Sequence, residues 1–199
     1  MKKLLKLITM LFLASAMVIS CGGGSGSDAP STSDCTETVS KLELSDGEWT
    51  VYVNETADYA AMELELEATV TNGAYEFTSG NASATLDMEK GFEEMGMPEA
   101  AIEEFKNLSD KEKNAMFSDE IGIPEGYDIS WDGLTLNVEG PLSAEDLADM
   151  EDYLDLDYLP DDAEIKTNAD GTKYTINFSY KDEYDGTTTN MEIIAVKNN

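Results

Sequence analysis

The sequence predicts an α+β domain built on a curled, mainly antiparallel β-sheet with two or three helices set into it. Apolar and polar residues alternate strictly from Met62 to Thr71, and the dipeptides Asn72-Gly73, Asp132-Gly133 and Asp185-Gly186 punctuate stretches of this kind. Helical spacing is confined to short intervals after Pro98 and Ser143. Strands joined by tight turns pair with their chain neighbours, so the sheet should be antiparallel and able to curl toward a barrel.

Each element follows from local pattern. Gly47-Glu48-Trp49 opens a first strand. In the next, Met62, Leu64, Leu66, Ala68 and Val70 share one face while Glu63, Glu65, Glu67, Thr69 and Thr71 share the other, giving a hairpin with one wet face. Asn72-Gly73 turns the chain, and Tyr75 and Phe77 continue the alternation on the return strand. Pro98 suits a helix start, and Ala101, Ile102, Phe105 and Leu108 recur at helical spacing behind it. Ser109 with Glu112 predicts a capping box opening a short helix through Phe117. Ile129 and Trp131 before Asp132-Gly133, with Leu134, Leu136 and Val138 after it, predict another hairpin. Ser143 is the expected N-cap of Ala144 to Leu154, with Leu147, Met150 and Leu154 on the buried side. A turn at Asn168 to Gly171 leads into Tyr174, Ile176, Phe178 and Tyr180, and Asp185-Gly186 leads to a last strand near Met191 to Val196. The total is eight or nine strands in one domain over residues 41–199.

Composition excludes much chemistry. The 199 residues include 42 Asp plus Glu and 12 basic residues, all Lys, for a formal charge of -30. Without His there is no Ser-His-Asp or Cys-His catalytic device, and without Arg no bidentate clamp on phosphate or carboxylate. No nucleic-acid partner is expected, because binding phosphates requires clustered cations. No nucleotide-binding glycine fingerprint is present either.

Residues 1–20 have the layout of a secretory signal: Lys2, Lys3 and Lys6, an apolar run from Leu7 to Ile19, then Cys21. Val18, Ile19, Ser20 and Cys21 resemble the lipobox of bacterial lipoproteins, although Val replaces the usual Leu at its first position. That resemblance implies removal of the signal, diacylglycerol and fatty acyl chains on Cys21, and an extracytoplasmic domain anchored to a bacterial cell membrane. Two or more acyl chains suffice for stable anchoring. Residues 21–40, beginning with Gly22 to Ser27 (GGGSGS), are expected to act as a tether, and the chain from Cys21 onward has nine Lys against 42 acids. With Cys21 acylated, Cys35 has no intrachain partner and is expected as an unpaired surface thiol.

Gly47-Glu48-Trp49 followed by hairpins resembles the start of lipocalins and of lipocalin-like lipoprotein domains. The resemblance implies a sheet curled around an apolar interior able to take a small ligand, with a closing basic residue near the tryptophan that cannot be Arg here.

Three stretches invite a sharper reading. Asp128, Ser130, Asp132, Gly133 and Glu139 have the spacing of an EF-hand calcium loop, but Ile129, Trp131, Leu134, Leu136 and Val138 alternate with period two, so a hairpin is expected instead. Glu145 to Asp162 holds nine acidic residues and no Lys, expected as a solvated face that attracts divalent cations loosely. Met88, Phe92, Met95, Met97, Phe105, Met116 and Phe117 are expected as core packing rather than an apolar groove. The expected function is therefore a membrane-anchored lipoprotein with a non-enzymatic binding domain for a small apolar ligand or a protein partner. The alternatives are an acidic calcium-binding module and a carboxylate-based hydrolase, for which none of the 42 acids is singled out. Beyond Cys21 as lipid attachment site, no catalytic residue, metal ligand or cofactor is assigned.

Overall fold

A computed structural model describes residues 29–94, 96–121, 126–154, 156, 159–181 and 188–198. The signal, Cys21 and the Asp185-Gly186 turn lie outside the described residues. The architecture is α+β: nine strands form one antiparallel, curled sheet that does not close.

In chain order the strands are β1 (Glu37–Val39), β2 (Gly47–Ala57), β3 (Ala60–Thr71), β4 (Ala74–Asp87), β5 (Asp128–Asp132), β6 (Thr135–Pro141), β7 (Glu164–Thr167), β8 (Lys173–Lys181) and β9 (Thr188–Lys197). Across the sheet they run β1-β7-β8-β9-β2-β3-β4-β6-β5, so β1 and β5 are its edges. Four helices are described: α1 (Met88–Glu94), α2 (Glu99–Lys106), α3 (Asp110–Ile121) and α4 (Ala144–Tyr153).

The hairpins form where turn chemistry meets alternation. Thr71 pairs with Ala74, leaving Asn72 at φ 54° and Gly73 at φ 82°, both in the left-handed region a two-residue hairpin turn requires. The β5–β6 turn is Gly133-Leu134, one residue later than Asp132-Gly133, because Asp132 pairs with Thr135 and Gly133 takes φ 62°. Past its turn β4 holds an extra residue, Thr78, as a bulge opposite the Glu67/Ala68 step, and the Thr78 hydroxyl donates to the Glu67 carbonyl at 3.2 Å.

The core lies between one face of the sheet and the helices. Trp49, Val51 and Val53 of β2, Leu64 and Leu66 of β3, Leu136 of β6, Ile176 of β8 and Ile193 of β9 are sealed there beside Met150 of α4. Met88, Phe92, Ile102 and Phe105 bring α1 and α2 onto the same cluster, with Phe92 edge-on to Phe105 at 5.1 Å. Core packing is thus the role of Met88, Phe92 and Phe105; Met97 packs against the cluster, and the side chains of Met95, Met116 and Phe117 lie outside the described residues. Glu55 also points to this face, fully buried, and accepts a hydrogen bond from the Tyr180 hydroxyl at 2.5 Å. Trp49 donates from Nε1 to the Ser45 carbonyl at 2.8 Å, and the Lys197 ammonium sits 5.9 Å from its ring centre, so the cation beside this tryptophan is a lysine from the last strand.

Two expectations are corrected. Cys35 is not a surface thiol: it is buried, its Sγ faces the Lys173 carbonyl at 3.8 Å, and burial, then the Asp34 carboxylate, push the thiol above its ordinary pKa. Residues 34–39, expected within the tether, join the sheet through the Asp34–Lys173 ion pair and the pairing of β1 with β7.

Candidate functional site

The face of the sheet away from the helices is polar, and its register sets polar side chains in straight rows. Glu192 of β9 pairs with Asn54 of β2, Asn54 with Glu63 of β3, Glu63 with Ser83 of β4, Ser83 with Glu139 of β6, and Glu139 with Asp128 of β5. In the other direction Glu192 pairs with Asn177, and Asn177 with Glu164. One unbroken polar row therefore crosses eight strands. Paired strands lie about 4.8 Å apart, so it is about 34 Å long. Asn54 holds part of it in place by donating to Glu192 at 3.2 Å.

The middle of this face holds a trough. One groove of about 400 Å³ is lined by Ala29, Tyr52, Asn54, Glu65, Asn81 and others. A second of about 400 Å³ adds Thr85, Ser130 and Asn137, with Thr85 donating to Asn137 Oδ1 at 3.1 Å. Both include Glu63, Ser83, Asp128 and Glu139, so they are two lobes of one depression. Among the described residues no Lys lines either lobe. Four carboxylates, which only accept hydrogen bonds when ionised, stand there among carboxamides and hydroxyls that donate and accept. Asp128 and Glu139 face each other directly across β5 and β6, a like-charge pair that costs stability. Such an arrangement rejects anions and favours an occupant rich in hydrogen-bond donors or positive charge.

The calcium-loop spacing is a hairpin. Asp128, Ser130 and Asp132 are alternate residues of extended β5, and Glu139 lies on β6, so their oxygens spread along two strands rather than around a loop bent at Gly133. Among the described residues no group of three or more Cys, Asp or Glu side chains is placed to hold a metal ion.

The acidic run begins as a helix start. Ser143 caps α4 in a full capping box: its hydroxyl accepts from Asp146 N at 3.2 Å, and Asp146 accepts from the Ser143 N–H and hydroxyl at 2.9 and 2.7 Å. Burial opposes ionisation of Asp146, yet the two bonds from Ser143 help hold its carboxyl below the ordinary range. Tyr127, just before β5, lays its ring against Gly140, where a Cβ would stand 2.6 Å from ring Cγ. Its buried hydroxyl is pushed up to about 12, first by desolvation and then by the Asp146 charge.

The chain enters this face from its N-terminal side. Lys173 donates to the Ser31 carbonyl at 3.0 Å and to the Asp34 carboxylate at 3.0 and 3.1 Å, and Lys173 lies in the row of Thr50, on the polar face. Thr175 and Ile194, in the row of Tyr52, are buried although neither belongs to the core cluster.

Sequence reasoning placed Glu63 and Glu65 on the wet face but not the trough, because five strands meet there in a register that local pattern does not reveal. Its one weak signal was the acid at alternate positions of β3 facing the wet side. No protein-family model, curated protein or solved structure matches the chain.

Proposed function

We propose that the chain is a lipoprotein anchored outside the cytoplasm through acyl groups on Cys21, and that its domain binds a cationic protein segment non-covalently in the trough. The lipobox-like Val18 to Cys21 and the glycine-rich stretch behind it support the anchoring. The carrying observation for binding is the trough itself: an open depression lined by Glu63, Glu65, Asp128 and Glu139, with no Lys among the described residues that line it, on the face opposite the packed core. The apolar face is covered by the protein's own helices, which favours a polar over an apolar occupant. A facing pair of carboxylates kept at a cost to stability is what a site selected for binding would retain.

The test must separate the trough from the general field of a chain at -30. Thermal melting with a lysine-rich peptide at fixed ionic strength should raise the midpoint. The double variant Glu63→Gln/Glu139→Gln should lose that rise, whereas Glu145→Gln/Asp161→Asn, with the same net charge, should keep it. Equal loss in both variants would leave only a diffuse charge effect and sink the binding reading. Cys21→Ala should abolish fatty-acid labelling, and an unlabelled natural protein would overturn the anchoring.

A further inference from the structure

Ile194 is only 2 % exposed, yet it stands on the polar face, outside the core cluster and opposite the helices. Its neighbours in the row are Thr175, also buried, and half-buried Tyr52 at the margin of the trough. A branched apolar side chain on such a face is sealed only by something laid across it. Residues 29–34 are placed to do so. At one end Ala29 lines the larger lobe of the trough beside Tyr52. At the other, Lys173, two residues before Thr175 on the same face of β8, donates to the Ser31 carbonyl at 3.0 Å and to the Asp34 carboxylate at 3.0 and 3.1 Å. Ala29, Pro30 and Thr32 are half-buried while Ser31, Ser33 and Asp34 are exposed, so one side of the segment rests on the sheet. The segment belongs to no strand or helix, and its Thr32 carbonyl accepts from the nearby Cys35 N–H at 3.0 Å.

We infer that residues 29–34 form a strap closing the β9 end of the trough, with Lys173 as its clasp, and that the trough's cationic partner binds most tightly once the strap is released. This rests on the binding reading proposed above. Release uncovers Ile194 and Thr175 and continues the trough over β9 and β8, where Glu192 and Asn177 extend the polar row. The clasp suits a reversible closure, because Asp34 is half-exposed and an ion pair with an exposed partner is weak. Its loss raises the open fraction by up to about fivefold. Where the open form is the minor one, apparent affinity rises by the same factor. A lysine of the partner also competes with Lys173 for Asp34, so binding itself favours opening.

The experiment uses the full chain, a lysine-rich peptide at fixed ionic strength, and alkylation of Cys35 followed by mass spectrometry. Two variants are each read where charge alone predicts the opposite result. Asp34→Asn makes the chain less negative, so a diffuse field predicts weaker peptide binding, whereas the strap predicts binding tighter by up to about fivefold. Lys173→Met removes a cation that favours the Cys35 thiolate, so charge predicts slower alkylation, whereas an opened strap exposes Cys35 at its end and predicts faster alkylation. Lys166→Met makes the same charge change on the same face and should match the wild type. In the wild type the peptide should speed alkylation, because ligand and strap are linked. Binding by Asp34→Asn that is weaker or unchanged overturns the strap and leaves the trough intact. So does Lys173→Met alkylated no faster than Lys166→Met, or peptide bound with no change at Cys35. A wild-type chain that binds no peptide overturns the trough reading, and the strap's control of it as well.

Discussion

Lys113 of α3 donates to the carbonyl of Gly133 at 2.7 Å, and its ammonium lies 5.2 Å from the centre of the Trp131 ring and 5.8 Å from that of Phe105. The next residue repeats the attachment, with Trp131 Nε1 donating to Asn114 Oδ1 at 2.7 Å. Lys113 is buried, and a buried cation is tolerated only where dipoles and ring faces replace water. Lys113→Met removes the donor from a carbonyl in the β5–β6 turn and should destabilise by about 1–3 kcal/mol. Chemical denaturation measures that loss. Hydrogen exchange should show α3 opening before the sheet, and unchanged protection there would mean the lysine is not its clamp.

The two tryptophans should not be equivalent. Trp49 is fully enclosed and its indole N–H is satisfied by Ser45, so Trp49→Ala should cost about 3–5 kcal/mol. Trp131 is half-buried, and Trp131→Ala should cost less. A larger loss at Trp131 in the same denaturation series would place the folding core at the α3 end instead.

Gly140 is required by the Tyr127 ring. A methyl group there would meet ring atoms at 2.6 to 2.9 Å, so Gly140→Ala should cost about 1–3 kcal/mol. Adding Tyr127→Ala removes the obstacle, and the double variant should be more stable than the sum of the single losses predicts. Strict additivity would show that the glycine matters for another reason.

The capping box gives a pH signature. The Asp146 carboxyl is held below its ordinary value of 3.8, so its contribution is present above the unfolded-state value and is lost as pH falls through the folded-state value. Asp146→Ala should therefore destabilise by about 1 kcal/mol at pH 7 and by progressively less as the solution is acidified below about pH 4. Melting curves across that range test it, and a gap that widened in acid would contradict the assignment.

Glu139→Gln should stabilise the protein by about 0.2–1 kcal/mol, because it relieves the repulsion from Asp128 directly opposite. A lower melting temperature at low ionic strength would mean that Glu139 has a structural role of its own.

Legibility in the sequence tracked how local each cause was. β3 could be read because its alternation, its turn residues and its return strand are contiguous. The helix over Glu99–Lys106 followed from Pro98 and the buried Ile102 and Phe105. α1 was missed because it continues directly from β4 and contains Gly91, although Asp87, whose carboxylate accepts from the Lys90 N–H at 3.2 Å, is a cap that could have signalled it. Burial of Cys35 and the docking of residues 31–34 depend on Lys173, nearly 140 positions away. The trough was invisible for the same reason: Asn54, Glu63, Ser83, Glu139 and Asp128 become neighbours only once five strands have found their register.

The sheet stops short of closing, and its two rims are handled differently. β1 is only three residues long, and β5 ends in Asp128 and Asp132, both exposed. Short rims and rim charges deny an incoming chain the flat, neutral template that fibril growth needs. Copies concentrated side by side on a two-dimensional surface would thus collide without zipping together, and a dense coat of this protein should stay a population of separate molecules.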